Sequence, residues 1–333
     1  MGVDLKDILE IQEIDFEFLC GKKIAIDAFN AIYQFLSIIR QPDGTPLIDS
    51  KNRITSHLSG LFYRTSKLVE MGILPCYVFD GKPPELKEKE ISERKKIREE
   101  AEKKWKEALE TGDLEAARKY AQAASKLSDE MVKESKALLE ALGIPIVQAI
   151  GEGEAQAAFM CRKGDVWAVA SQDFDSLLFG TPRLIRNLTI TGKRKIPGTK
   201  KYVEISPELI DLDLNLSRLG ISQKDLIHVA LLIGTDFNEG IKGFGPKKAI
   251  KAVKEGKITE YFSQNSLEEL EKIFLNPPIT ESYTLCWGTP DKEKVIKLLV
   301  EEHEFSLERI EKSLESFKKL EDQKLQKRLD RWF

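Results

Sequence analysis

"VWAVASQDFDSLLFG", residues 166–180, joins a short apolar run to two aspartates, Asp173 and Asp175, and then to a second apolar run. An unbroken stretch of Val, Trp and Ala of this length fits a strand covered on both faces, as strands of a parallel sheet are. Three other stretches have the same form: "KKIAIDAF" (22–29), "LPCYVFDG" (74–81) and "IPIVQAIG" (144–151). Amphipathic segments at 55–71 and 129–142 lie between them. Strand and helix in alternation predict an α/β fold with a mostly parallel, twisted central sheet flanked by helices.

Acid recurs where each of these runs ends. Asp27 closes "IAID", Asp80 closes "YVFD", Glu152 and Glu154 follow "IVQAI", and Asp173 and Asp175 follow "VWAVA". Any one of them is most simply a turn former or a helix cap. As a set they fall on one edge, because carboxyl ends of parallel strands lie together, and open α/β sheets bind ligands at that edge. Like charges gathered there raise one another's pKa and destabilise the fold unless a cation neutralises them. Histidine is scarce, with only His57, His228 and His303, so the donors are oxygens and the fitting cation is a hard divalent ion. So many carboxylates exceed the needs of one Mg²⁺. They suit two metals roughly 4 Å apart, one activating water and the other stabilising a leaving oxygen in phosphodiester hydrolysis. A seventh acid, Asp236 in "LLIGTDFNEG", precedes a Gly-rich turn. If the extended conformation continues past Ala170, Asp173 and Asp175 point to the same side and Phe174 into the core.

The whole chain bounds this reading. Its 333 residues are 41% apolar and 32% charged, above the roughly 25% charge of an average globular protein, and the Lys and Glu excess is consistent with a heat-adapted source. The net charge of −3 gives no global basic field, but five bases without an acid fall at 191–202 and six bases against one Glu at 242–257. Basic surfaces can therefore face an acidic pocket. Cys20, Cys76, Cys161 and Cys286 are too scattered for a zinc site or a disulfide framework and read as buried thiols. No signal-peptide core or membrane span is evident, and Gly2 is no myristoylation site because Lys6 stands where Ser or Thr is required. A soluble, cytoplasmic protein without membrane contact is expected.

Three segments outside the strands carry further chemistry. Residues 82–127 are dense in alternating charge at helical spacing, which predicts a solvated helical pair with i,i+4 ion pairs. The pair is inserted directly after Asp80, and Lys87 and Arg94, two turns apart, would share a face and direct cations at a scissile phosphate. In "GIKGFGPKKA", Gly240, Gly243 and Gly245 precede Pro246, Lys247 and Lys248. Such a turn leads backbone N–H groups and a helix N-terminus to a phosphate. Tyr33 offers a ring for base stacking or for the core. The final "QKRLDRWF" would present Leu329, Trp332 and Phe333 together on one helical turn, with Gln326 a turn earlier, as a compact docking anchor.

"IDAFNAIYQFL", "TSHLSGLFYRT", "YVFDGKPPELK", "GEGEAQAA", "SQDFDSLLFG", "GTDFNEGIKGFGPKKA" and "QKRLDRWF" together resemble the flap endonucleases of the XPG family of structure-specific 5′ nucleases, in their archaeal form. The similarity spans nearly the whole chain. It implies a PIN-like 5′ nuclease fold with a helical arch and a helix-two-turn-helix. It also implies two Mg²⁺, with Mn²⁺ as a substitute, at Asp27, Asp80, Glu152, Glu154, Asp173, Asp175 and Asp236. Lys87, Arg94 and Asp173 take catalytic roles in this reading. Tyr33 falls near the unpaired 5′ nucleotide, and Arg40, Arg64 and Gly234 fall on DNA-binding positions. DNA contact is likewise implied for Glu152, Asp236, Gly243, Gly245, Lys247 and Lys248. Thr55 and Arg309 resemble contacts to a one-nucleotide 3′ flap, where His303 stands in place of a lysine found in some relatives. The Gly-rich turn matches an element that holds K⁺ against the duplex. Gln326, Leu329, Trp332 and Phe333 match the motif that binds the sliding clamp PCNA.

The expected activity is Mg²⁺-dependent cleavage of 5′ flaps at the duplex junction, with 5′–3′ exonuclease activity, by a monomer acting in Okazaki-fragment maturation and repair. A ribonuclease or exonuclease on the same fold and a non-catalytic junction binder recruited to the clamp are the alternatives. The expected divisions are an N-terminal nuclease region (1–98), the rest of the arch (99–128), an internal nuclease region (129–258), a C-terminal helical region (259–324) and a clamp-binding tail (325–333).

Overall fold

A computed structural model describes residues 2–41, 43–82, 84–189, 193–195 and 202–317. Its strands are β1 (Gln12–Glu13), β2 (Lys23–Asp27), β3 (Leu74–Phe79), β4 (Ile146–Gln148), β5 (Ala168–Ala170), β6 (Arg183–Arg186), β7 (Lys193–Lys195), β8 (Tyr202–Glu204) and β9 (Glu208–Asp211). Seven of them form one sheet in the order β1-β9-β6-β5-β2-β3-β4, while β7 and β8 pair separately. The pairs among β2 to β6 are parallel, and β9 runs antiparallel to both β6 and β1. The mostly parallel α/β architecture is therefore the one expected. The four apolar runs are β2 to β5, with β4 at the sheet edge, and from Ile24 to Ile26 and Cys76 to Phe79 every side chain is buried.

The helices are α1 (Ala28–Ile38), α2 (Ser56–Glu70), α3 (Glu88–Glu110), α4 (Leu114–Ala123), α5 (Asp129–Ala141), α6 (Gly153–Lys163), α7 (Asp175–Leu178), α8 (Leu212–Leu219), α9 (Gln223–Ile233), α10 (Pro246–Lys254), α11 (Gln264–Leu275) and α12 (Lys292–Ile296). From β2 the chain adds β3 and β4 on one side, then returns to place β5 and β6 on the other. Strand order thus reverses between β2 and β5, and a crevice opens where strands diverge at such a point. One apolar cluster packs α1, α2 and α5 on the central strands through Ile32, Phe62, Leu138 and Val169. A second joins Phe174, Leu178 and Ile210 to Leu226, Leu231 and Phe274. The charged insertion after β3 forms the helix pair α3 and α4, as its spacing predicts.

Several expectations need correction. Extended backbone does not reach Asp175: the strand ends at Ala170, Phe174 has helical dihedrals, and Asp175 opens α7. Phe174 is nonetheless buried. The C-terminal region expected to be helical, 259–324, is not uniformly so, because residues 276–290 are irregular. That segment is pinned by side chains and edges instead: Gln156 exchanges two hydrogen bonds with Thr280, Trp287 Nε1 donates to the Pro75 carbonyl at 2.6 Å, and Gly288 N–H donates to the Gly143 carbonyl. Cys76 and Cys161 are buried thiols, but Cys20 and Cys286 are exposed. The terminal motif 326–333 and most of the basic stretch 191–202 lie outside the described residues.

α1 and α2 cross at Gly60, where a Cβ would stand 2.3 Å from Phe35 Cγ. Glycine inside a helix costs about 1 kcal/mol relative to alanine, so close packing is what holds it there. Gly60→Ala is expected to destabilise the fold by roughly 2 kcal/mol, since the clash outweighs the gain in helix propensity. Urea unfolding should show a lowered midpoint at unchanged slope.

Candidate metal centre and nucleic-acid interface

The carboxyl ends of the central strands deliver acid to the crevice by four different local routes. Asp27 ends β2 and caps α1, accepting the Asn30 N–H at 3.0 Å. Asp80 follows β3 and accepts the Gly153 N–H at 2.6 Å. Glu152 and Glu154 sit at the start of α6, where the Ser171 hydroxyl donates to Glu154 at 3.0 Å. Asp173 accepts from Asn30 Nδ2 at 2.9 Å, and Asp175 accepts the Val3 N–H at 2.8 Å. Four of these acids, Asp27, Glu152, Glu154 and Asp175, lie at helix N-termini, where the backbone dipole favours negative charge. Asp236 comes from elsewhere, in the turn after α9.

Two cations of the insertion reach into this group. Lys87 Nζ lies 2.6 Å from Glu152 Oε2 and 3.2 Å from Asp236 Oδ2. Arg94 Nη2 stands 2.9 Å from both oxygens of Asp236. The pair predicted to share a face thus converges on one acid from the 3-10 turn before α3 and from α3 itself.

The charge balance is uneven. Burial, and next the neighbouring Glu152 charge, raise Asp80 to about 6. Burial, then Asp236 and Asp173, raise Asp175 to about 7. Asp27 and Glu154 are pushed well above the usual carboxylate range, again by burial first and then by Asp80 and Asp175 respectively. Burial also acts on Asp236, but Lys87 and Arg94 outweigh it and hold that carboxyl below its ordinary value. Lys87 is likewise raised against its own burial by Glu152 and Asp236.

Among the described residues no three acid, imidazole or thiol side chains are already drawn around one ion-sized point. The acids are held apart by hydrogen bonds, with the Lys87 ammonium as a cation between Glu152 and Asp236. Their chemistry fits hard divalent ions: every donor is a carboxylate, several carry raised pKa values that a cation would reverse, and a positive charge already occupies part of the space.

The positions assigned to DNA divide into three groups. Tyr33 is half-buried on α1, and the Arg98 guanidinium stacks 5.1 Å from its ring centroid. Arg40 donates to the carbonyls of Leu36 and Gly44 and to Ser125 Oγ, so all its nitrogens serve the fold, while Arg64 is half-buried on α2. At the second site, Gly234 closes α9, Gly243 has a left-handed φ of 83°, and Gly245 caps α10 with Lys247 and Lys248 exposed on its first turn. Thr55, buried, precedes α2, whereas Arg309 lines an open groove of about 720 Å³ with Ser59, Tyr63 and Lys312. His303 is buried between Asp49 and Glu134.

Sequence reasoning missed the N-terminus and Asn30. A Cβ on Gly2 would stand 2.8 Å from both Asp175 oxygens and 2.9 Å from Asp173 Cβ, so the first described residues thread against the acids. Gly2 had been weighed only as a lipid acceptor. No local spacing signals a contact between residues 2 and 175.

Known proteins match the chain over nearly its whole length. The XPG N-terminal domain matches residues 1–101 and the XPG I-region matches 143–236. Flap endonuclease 1 of Pyrococcus horikoshii is 57% identical over 338 aligned positions, covering 100% of this chain and 98% of that protein. Flap endonuclease 1 of Pyrococcus abyssi is 58% identical with the same coverage. The solved structure of flap endonuclease-1 from Methanococcus jannaschii superposes with a TM-score of 0.78 at 45% identity, covering 97% of this chain and all of that one.

The raised acids give a pH dependence with a definite sign. Asp175 holds its proton more tightly folded than unfolded, so its favourable contribution is complete below about pH 4 and is lost as pH rises through about 7. Asp175→Asn keeps an acceptor for Val3 and removes the charge. Without metal it should be more stable than the parent at pH 8, by about 2 kcal/mol, with the advantage vanishing toward pH 4. Urea unfolding across that range measures it, and a variant weaker than the parent at pH 8 would contradict the repulsion.

Proposed function

Since the chain belongs to the flap endonuclease 1 family, we propose that it is a structure-specific nuclease whose hydrolytic centre is the carboxylate group at the switch point of its sheet. The observation that carries this reading is the convergence of Asp27, Asp80, Glu152, Glu154, Asp173, Asp175 and Asp236, from separate elements, with Lys87 reaching in from the turn before α3 and Arg94 from α3 itself. Its substrate is branched DNA with a 5′ flap, cut near the junction, and 5′–3′ exonuclease action follows from the same chemistry on a recessed end. Okazaki-fragment maturation and repair are the processes that generate such flaps.

When bound by the seven acids, two Mg²⁺ ions, or Mn²⁺ in their place, supply water activation and neutralise charge on the departing oxygen. The chain does the rest. Asn30, Gly153, Val3 and Ser171 orient the carboxylates through hydrogen bonds. Lys87 and Arg94 exchange their carboxylate partners for the scissile phosphate and stabilise the charge that develops on it. The arch of α3 and α4 stands over the crevice, so a single strand passing through or under it meets these two cations and the Tyr33 ring. Exposed Lys247 and Lys248 and the N-terminus of α10 hold the duplex by its phosphates, without reading sequence, and K⁺ fits the same Gly-rich turn. Arg40, Arg64 and Gly234 support the duplex path, and the groove of Arg309, with Thr55 nearby in sequence to α2, accepts a 3′ flap.

No helix among the described residues is long and apolar enough to cross a membrane. We assign the work to a cytoplasmic monomer recruited to the PCNA clamp by Gln326, Leu329, Trp332 and Phe333.

On a double-flap substrate with Mg²⁺, Asp173→Ala should lose cleavage by roughly 10²–10³-fold and retain flap binding measured by fluorescence anisotropy. Normal cutting by that variant would remove these acids from the reaction, and a parent that binds but never cuts would favour the junction-binder reading. Deleting residues 326–333 should abolish stimulation by the clamp and leave basal cleavage intact. Stimulation that survives the deletion would rule out the docking role.

A further inference from the structure

Asn30 touches two of the metal-site acids at once, although nothing in its local sequence announces it. It lies in the first turn of α1, where its backbone N–H donates to Asp27 Oδ1 at 3.0 Å. Its side-chain Nδ2 donates to Asp173 Oδ2 at 2.9 Å. The orientation of the amide is fixed by a third bond: the Gln172 N–H donates to Oδ1 at 3.2 Å, and only the oxygen of an amide can accept. A single residue therefore spans the switch point, gripping the acid that ends β2 and the acid that follows β5.

Asp173 needs such a grip. It sits in the irregular link between β5 and α7, with no helix or strand of its own to set its carboxylate. Its other local tie is its own N–H, which donates to Ser171 Oγ at 3.3 Å. The amide holds Oδ2 and leaves Oδ1 free to turn toward the crevice. It does so without charge. A Lys or Arg in the same place would compete with a metal, as Lys87 and Arg94 do at Glu152 and Asp236, and an Asp would add to the repulsion.

We propose that Asn30 is a positioning residue for metal binding, its side-chain amide fixing Asp173 in the orientation in which that acid ligates a divalent ion. The inference rests on the reading of the seven acids as the metal site. Outer-shell partners of ligating groups commonly contribute 10–100-fold in metal affinity.

The test uses the full chain and Mg²⁺ or Mn²⁺ alone as probes. Asn30 is half-buried on the surface of a helix, where alanine and aspartate are both tolerated, so Asn30→Ala and Asn30→Asp should fold. Two quantities are read: the Mn²⁺ concentration that half-saturates the metal-induced rise in thermal midpoint without DNA, and the Mg²⁺ concentration that half-saturates single-turnover cleavage of a double flap. Both should rise about tenfold in Asn30→Ala and at least as far in Asn30→Asp. Excess metal should restore most of the Asn30→Ala rate, and flap affinity in metal-free buffer should not change. Half-saturating metal within twofold of the parent in Asn30→Ala would overturn the proposal. So would tighter metal binding by Asn30→Asp, which would make position 30 a ligand, or a rate loss that excess metal fails to restore. Failure of the underlying reading looks different, because the parent itself would then show no metal-induced rise at all.

Discussion

Repulsion among carboxylates gathered at one end of the central sheet is the constraint around which the rest of this structure is arranged. In a low-dielectric crevice, like charges this close cannot all remain ionised without cations among them. Three devices share the load in the chain itself. Asp80 and Asp175 hold protons more tightly than free carboxyls do. The N–H groups of Gly153 and Val3, and the amide of Asn30, take up lone pairs. Lys87 and Arg94 bring positive charge in from the arch. Such an arrangement costs stability in order to keep a site poised for divalent cations.

The constraint also explains how distant parts of the chain come to depend on one another. Asp236 lies in the turn after α9 that leads toward α10, whereas the other acids end or follow the parallel strands of the sheet. Lys87 bridges the two, touching Glu152 on one side and Asp236 on the other. The arch, the sheet edge and the segment leading into the Gly-rich turn therefore meet in one set of ion pairs. The N-terminal segment closes the same space from below, through Val3 and the close approach of Gly2 to Asp175.

Much of this was legible in the amino-acid sequence, and what was not has physical reasons. Strands β2, β3 and β5 announce themselves because burial on both faces leaves continuous apolar runs, and parallel pairing puts the acids that follow them and β4 on one edge. β6 and β9 read as "RLIR" and "ELID", charged at both ends, and they owe their state to antiparallel pairing with each other rather than to composition. The spacing of Asp173 and Asp175 suggests an extended pair, but the geometry differs, because "DSLL" begins a helix and its leading Asp occupies the first turn. The irregular segment 276–290 has no period to detect, since its order comes from Gln156, Pro75 and Gly143, more than a hundred residues away in sequence. Asn30 and Gly2 were invisible for the same reason: their contacts lie about 140 and 170 positions along the chain.

Three arch cations near the crevice already have partners within the chain. Lys87 is paired with Glu152 and Asp236, Arg94 with Asp236, and the Arg98 guanidinium lies over Tyr33. A phosphate approaching Lys87 or Arg94 therefore meets cations that are already paired. It must exchange with these partners, and the exchange is favourable only if the acids left behind are neutralised at the same time. Divalent ions do that. On the proposed reading, release of Lys87 and Arg94 toward a phosphate and occupation of the acids by metal are linked by charge balance: each makes the other less costly, and either alone leaves buried charge unpaired. Coupling of this kind confines reactive charge to the moment when substrate and metal are present together, which suits a nuclease that must leave ordinary duplex DNA intact.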